Sequence, residues 1–348
     1  MACLPLSLPS TALASKKPHA KKVAGAKSFS YRDRKDAMAF ADDLAERGGL
    51  DRAWLRRTMA QAHFIPAIQK QMRPAEHGFV KNWNVYRGRF IEPFRIQTGI
   101  DFWTTHAATL ARAEKEYGVP PEVIVGIIGV ETIYGRHMGS YRVIDALATL
   151  AFDFPKTAER DRSAFFRTEL AQFLMQLYPR QLDTTSIKGS YAGAIGLGQF
   201  MPSGWAKYAV DFDGDGSIDL RDADDAIGSI ANFLRSSNWH PGMPAYYPVS
   251  VDDARLNAEA LLAPDILPTF SARELAAGGV LLDENAAQYQ APLALVKLLN
   301  GDPENEGSAP TYVLGTENFY AISRYNRSSY YTLAVIELGE TIKAEITK

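Results

Sequence analysis

Glu131 is the residue of this chain best suited to move a proton. Val123, Ile127, Glu131 and Tyr134 stand four, four and three residues apart, which predicts one stripe of a helix. Ile124 and Ile128 lie alongside, so the stripe is apolar, and glutamate is rarely buried without a partner. Desolvation there would raise the carboxyl pKa and keep it protonated near neutral pH, the state required of a general acid for a glycosidic oxygen. Gly126 and Gly129 thin the helix, so another segment or a substrate can come close. Spacing alone fits equally a glutamate hydrogen-bonded inside the fold.

A second segment carries binding chemistry. Ser190-Tyr191-Ala192-Gly193-Ala194-Ile195-Gly196-Leu197-Gly198-Gln199-Phe200-Met201-Pro202-Ser203 combines glycines, which permit close backbone approach to a ligand, with one side-chain amide. Gln199 offers donors and acceptors, and Phe200 and Met201 offer apolar contact. A phosphate-loop reading is poor, because no Lys-Ser or Lys-Thr follows and no strand signal precedes in the required register.

A third segment is rich in hard oxygen ligands. Asp211-Phe212-Asp213-Gly214-Asp215-Gly216-Ser217-Ile218-Asp219-Leu220-Arg221-Asp222 places acids at positions 1, 3, 5, 9 and 12 and glycine at position 6 of an EF-hand-like loop. The predicted ligands of one structural Ca2+ are Asp211, Asp213, Asp215, the Ser217 carbonyl, and either Asp222 or Asp225. Asp222 has a shorter arm than the usual closing glutamate, which is why Asp225 is the alternative. A solvated acidic turn is the bland reading. His137 and His240 read as ordinary surface residues, and the six histidines form no ligand or nucleophile pattern.

Gly129-Val130-Glu131-Thr132-Ile133-Tyr134-Gly135, then Gly198-Gln199-Phe200-Met201-Pro202-Ser203, then Arg324-Tyr325-Asn326 with Tyr331 beyond it, together resemble the membrane-bound lytic transglycosylase B family of murein-degrading enzymes. The resemblance runs from about Tyr31 to the C-terminus. It implies a mainly α (α+β) fold with a lysozyme-like core, an N-terminal α domain and a small inserted β domain. It also implies that Glu131 is catalytic, and that Ser190, Gln199, Tyr325, Asn326 and Tyr331 line sugar subsites. Tyr134, Phe200 and Met201 are further candidate substrate contacts. Phe233 stands where the family pattern has a tyrosine, which removes a hydrogen bond and keeps a ring to stack.

The implied reaction cuts the β-1,4 bond between N-acetylmuramic acid and N-acetylglucosamine, forms 1,6-anhydromuramyl ends and consumes no water. Most glycosidases need two carboxylates, and here Asp145 and Asp153 are nearest to Glu131 in sequence but outside every motif. A lytic transglycosylase needs only one. Two rivals remain at this point: a hydrolytic muramidase using Glu131 with a water, and a calcium-stabilised peptidoglycan-binding protein without activity.

Elements that could hold these residues are mostly helical. Ala37, Phe40, Ala41 and Leu44 share a face, closed by Gly48-Gly49; Leu55, Met59, Ile65, Ile68 and Met72 continue the spacing. One helix is predicted over Phe102 to Tyr117, one opening at Pro120-Pro121, and others over Phe165 to Tyr178, Ala223 to Leu234 and Tyr331 to Ile346. Between Pro241 and Thr316 helix signals weaken, and Val280-Leu281-Leu282 and Thr311-Tyr312-Val313-Leu314 read as strands. The predicted organisation is a signal or tether over 1–30, an α domain over 31–110 completed by 334–348, a catalytic core over 111–240 completed by 321–333, and a β domain over 241–320.

Composition narrows partners and place. The formal charge of −2 gives no footprint for nucleic acid. Cys3 is the one cysteine, which excludes an intrachain disulfide and a cysteine metal site. Ala12-Leu13-Ala14 resembles a signal-peptidase site and Ala2-Cys3 the end of a lipoprotein signal, with a disordered start as the alternative. Lys16 to Lys27, with five lysines, reads as a tether. The expectation is a monomer in the periplasm, with a lipid anchor to the outer membrane as the variant, acting on peptidoglycan glycan strands.

Overall fold

The structure, a computed structural model, describes residues 28–72, 81–158, 160–302 and 305–348; the expected signal, Cys3 and the lysine-rich tether lie outside them. The chain is mainly helical with small antiparallel sheets and divides into two compact units. One contains described residues of 81–137 and 208–348 and carries Glu131; the other contains those of 28–72 and 138–207 and carries Gln199. Both cuts, after His137 and after Lys207, fall inside the stretch 111–240 expected to form one core.

In the Glu131 unit the helix Pro121–Thr132 opens on proline, whose missing N–H costs nothing in a first turn. It is buried all round from Val123 to Val130, so it needs neighbours on every face. Its main partner is the C-terminal helix Ser329–Ile346. A Cβ on Gly126 would overlap the Val335 carbonyl oxygen, and one on Gly339 the Glu122 carbonyl oxygen. Glycine on each side therefore lets two backbones touch. The close approach expected at Gly126 is made by the protein itself.

The same unit holds a four-stranded antiparallel sheet in the order Val280–Leu281, Tyr246–Val251, Asn305–Gly315, Ala294–Asp302. Leu261, Leu275, Val280, Leu293, Leu295 and Leu314 give it a core of its own. Asn305–Gly315 contains the predicted Thr311-Tyr312-Val313-Leu314, and Val280–Leu281 forms all of the predicted Val280-Leu281-Leu282 but its last residue. Tyr246–Val251 and Ala294–Asp302 were not expected.

The predicted helix over Phe102 to Tyr117 is two helices, Pro93–Thr105 and Ala107–Tyr117, broken at His106 (φ −108°, ψ 24°). Thr104 and Thr105 turn their hydroxyls back on the carbonyls of Ile100 and Asp101, a competition that weakens the last turn.

The Gln199 unit is built on the helix Val143–Phe152, buried from Val143 to Ala151 and packed against Ser163–Leu177. A two-residue ladder pairs Tyr141–Arg142 with Lys188–Gly189. Arg34 donates to both carboxylate oxygens of Asp153 at 3.0 Å, and Tyr31 donates to the same group at 2.7 Å. Asp145 accepts the His63 N–H at 2.8 Å and pairs with Arg142 at 3.5 Å. Both aspartates nearest Glu131 in sequence are thus committed to holding this unit together.

Candidate active site

Glu131 sits in the last turn of its helix, and the chain then leaves by an unusual path. Ile133 (φ 50°), Tyr134 (φ 55°) and Gly135 (φ 84°) are all left-handed, which costs the two non-glycine residues energy. The turn is held because the Ile133 N–H reaches the Gly129 and Ile128 carbonyls and the Gly135 N–H reaches Thr132 Oγ1 at 3.0 Å. Tyr134 is therefore not on the stripe of Glu131. Its hydroxyl lies where a Cβ on Gly99 or Gly129 would be, and its ring meets Phe102 at 5.4 Å. The small residue at 129 makes room for this tyrosine.

The Glu131 carboxyl accepts one hydrogen bond from the Tyr331 hydroxyl, 2.7 Å to Oε1. Desolvation by the surrounding protein pushes its pKa up to about 7, and the Tyr331 bond opposes this only in part. The negative end of the helix dipole acts in the same direction as desolvation, because it disfavours a carboxylate. At neutral pH the group is poised between acid and base.

Tyr331 reaches this point because Ser328 caps the helix Ser329–Ile346 and accepts from the Tyr331 N–H at 3.3 Å. Tyr325 and Asn326 lie in the turn just before that cap, both nearly buried. Phe233, on the helix Ala223–Ser236, meets Tyr325 edge-on at 4.8 Å and Tyr208 at 4.9 Å. The ring at 233 thus packs edge-on against the third motif. Sequence reasoning missed Tyr86, whose pKa is pushed up to about 12 by desolvation and then by the charge of Glu131. Its ring packs with Trp83 and Tyr330, a group that forms only in the fold.

The Gln199 unit carries Ser190, Gln199, Phe200 and Met201, on one tight loop. Ile195 and Phe200 exchange both backbone hydrogen bonds at 2.9 Å, which folds the loop on itself. Gln199 takes a positive φ of 50° at the tip, and its Nε2 donates to the carbonyls of Gly196 (2.9 Å) and Met138 (3.3 Å). Ser190 Oγ accepts from the Ala194 N–H at 3.0 Å, so this hydroxyl shapes the loop. Gly193 (φ 84°) is required by its backbone and by Leu147, which occupies the space of a Cβ. A second residue missed in sequence is Glu169. Buried at 2% exposure, it accepts from Ser203 Oγ (2.7 Å) and the Ser203 N–H (2.9 Å), anchoring the end of the motif.

The acidic loop belongs to the Glu131 unit. Carboxylate oxygens of Asp211, Asp213 and Asp225 lie within 4.8 Å of one another. Asp225 is buried and accepts the N–H of Phe212 and Asp219, so it is fixed in the loop. Asp222 instead caps the helix Ala223–Ser236, accepting the Asp224 N–H at 2.7 Å. Asp215 accepts the Ser217 N–H at 2.7 Å and is not in the close group. Gly216 (φ 89°) makes the turn. The Asp215 N–H lowers the Asp213 pKa, but desolvation and the charges of Asp215 and Asp225 outweigh it and push the group up. A hard cation would relieve that repulsion, and an all-oxygen set suits calcium.

Residues 32–340 match the family described as the transglycosylase SLT domain. The chain is 40% identical over 316 residues to the membrane-bound lytic murein transglycosylase B of Escherichia coli (strain K12), covering 88% of this chain and 82% of the relative. It superposes on the soluble lytic transglycosylase SltB1 of Pseudomonas aeruginosa with a TM-score of 0.79 and 41% identity, covering 90% of this chain and 100% of that one. For an Escherichia coli lytic transglycosylase solved in complex with calcium, the TM-score is 0.77 and the identity 37%, covering 91% of this chain and 96% of that one. With nearly the whole chain matched in sequence and in structure, this protein belongs to the transglycosylase SLT domain family.

Proposed function

We propose that this chain is a lytic transglycosylase that cleaves the glycan strands of peptidoglycan, with Glu131 as its single acid and base. The observation that carries the reading is the Glu131 carboxyl, held at a helix end by Tyr331 with a pKa of about 7. Its protonated form gives a proton to the oxygen between N-acetylmuramic acid and N-acetylglucosamine as the C1–oxygen bond breaks. Its ionised form then takes the proton of the muramyl C6 hydroxyl as O6 bonds to C1. Tyr331 occupies Oε1, which leaves the transferable proton to Oε2. The attacking oxygen is tethered to the reacting ring, so its effective concentration is high and no water is consumed. In the Glu131 unit Phe233, Tyr325, Asn326 and Tyr331 would bind sugar, as would Ser190, Gln199, Phe200 and Met201 in the Gln199 unit.

The structural roles of Asp145 and Asp153 support a one-carboxylate mechanism. Mass spectrometry of a sacculus digest tests it: the account predicts anhydromuramyl ends, one water lighter than hydrolysis products. Reducing muramic ends would replace the transglycosylase with a muramidase.

We also propose one structural calcium at Asp211, Asp213 and Asp225, with Asp215 and the Ser217 carbonyl completing the set. Asp225 is favoured over Asp222 because Asp222 is spent on its helix cap. The proposed place of action is the periplasmic face of the cell wall, with the chain a monomer, lipid-anchored in the variant form. Among the described residues, no helix is long and apolar enough to cross a membrane.

A further inference from the structure

Within the Glu131 unit, the strand Ala294–Asp302 lies at the edge of its sheet, and its register with Asn305–Gly315 slips between Leu298 and Asn300. Leu298 faces Thr311 and Asn300 faces Ser308, which leaves Leu299 without a partner residue in the ladder. Pro310, in the stretch opposite, has no N–H to offer it. The Tyr330 hydroxyl takes both groups instead. It accepts the Leu299 N–H at 2.6 Å and donates to the Leu299 carbonyl at 3.2 Å. Next along the strand, Asn300 is buried at 6% exposure with its amide in use at both ends. Its Oδ1 accepts the Asn84 N–H at 3.2 Å, and its Nδ2 donates to the Ala309 carbonyl (2.8 Å) and Thr311 Oγ1 (3.1 Å). The Gly301 N–H then reaches the Lys81 carbonyl at 3.1 Å. Three consecutive residues of the inserted sheet thus hold the start of the helix Trp83–Arg87 and the start of the helix Ser329–Ile346.

Those two helices meet at the acid. Tyr331, the residue after Tyr330, donates to Oε1 of Glu131. Tyr86, on the helix Trp83–Arg87, lies close enough to feel the Glu131 charge. Successive helix residues project about 100° apart, so fixing the direction of Tyr330 also fixes that of Tyr331. The Tyr330 ring meets Trp83 at 6.1 Å and Tyr86 at 5.8 Å, edge-on in both cases. Its hydroxyl is spent on the sheet, so Tyr330 acts through its neighbours and not on a sugar.

We propose that Tyr330 is a positioning residue for the proton transfer: anchored to Leu299, it holds Tyr331 against Glu131, so that the inserted sheet serves the chemical step. This rests on the reading of Glu131 as acid and base. The test is Tyr330→Phe in the full chain, which keeps the ring against Trp83 and Tyr86 and removes the anchor. On sacculi, kcat should fall about threefold to tenfold while KM stays within about twofold. The alkaline limb of kcat/KM should move up by about 0.3–0.7 pH units, because a loosened Tyr331 bond stabilises the Glu131 carboxylate less. Tyr331→Phe should move the limb the same way, and adding Tyr330→Phe to it should move it no further. A residue that merely supports the sheet would lower the melting temperature and leave the limb in place. An unmoved limb in Tyr330→Phe, a change in KM alone, or shifts that add in the double variant would overturn the inference while glycan cleavage stands. Failure of the wild type to cut sacculi, or full activity in Glu131→Gln, would overturn the reading of Glu131 and this inference with it.

Discussion

Glu131 and the Asp211–Asp225 loop use the same functional group in opposite ways, within one unit of the fold. Glu131 is a lone, half-buried carboxyl with a single hydrogen-bond donor, and desolvation lifts its pKa to about 7. In the loop, desolvation also raises Asp211, but the N–H groups of Gly214 and Gly216 outweigh it and hold the carboxylate below its usual range. Lone and desolvated, a carboxyl trades protons. Grouped and supplied with two backbone donors, Asp211 stays charged, while the charges beside Asp213 push that group up until a cation relieves them. The number of donors decides which chemistry results.

The comparison breaks most visibly at Glu131. Glu131→Gln keeps the shape but cannot transfer a proton, so cleavage of sacculi should fall by at least about 10²–10⁴-fold. Full activity in this variant would remove Glu131 from the mechanism. The loop should respond to metal instead. A ligand that binds only the folded state at a hundred times its Kd stabilises by about 2.7 kcal/mol. Calcium should therefore raise the melting temperature, a chelator should lower it, and Asp225→Ala should abolish the difference. Equal melting with calcium and chelator would count against the site.

A smaller effect concerns stability. A carboxyl whose folded pKa is raised above its unfolded value binds more protons folded than unfolded. Stability is thus lost as pH rises from about 4.3 towards 7, where Glu131 must ionise in the fold. Glu131→Gln should consequently be more stable than wild type at pH 8, by on the order of 1–3 kcal/mol, and should differ little at pH 4. A variant less stable at pH 8 would mark Glu131 as a structural residue. The smallest expected change is in Tyr331→Phe. The lost hydrogen bond stabilises the charged form, so its removal raises the Glu131 pKa and moves the alkaline limb of kcat/KM to higher pH. A limb that stayed in place would separate Tyr331 from the acid.

Much of this was legible in the residues. The apolar stripe around Glu131 marked a buried helix with one misplaced acid, and the alternation of acids marked the loop in which Asp211 and Asp213 come close to Asp225. The turn after Glu131 was not legible, because left-handed Ile133 and Tyr134 break a spacing that continues in sequence. The reason for Gly193 was misread for a related cause: the atom that fills its space belongs to Leu147, far away along the chain. Glu169 and Tyr86 left no local trace, since their roles come from Ser203 and Glu131 across long separations. Asp222 and Asp225 could not be told apart by position, because capping and ligation both want an aspartate at a loop end. The strands Tyr246–Val251 and Ala294–Asp302 were hidden for another reason. Their inward side chains pack on a small separate core, whose members Leu261 and Leu275 come from helices between the strands.

The central claim is that surroundings hold Glu131 at the midpoint between acid and base. Carbon-13 NMR titration of the glutamate carboxyls, with Glu131→Gln to assign the resonance, measures this directly. The account predicts a midpoint of about 7 for Glu131. A midpoint near the unperturbed glutamate value of about 4.3 would contradict it, because the group would then be ionised at neutral pH and unable to act as the acid.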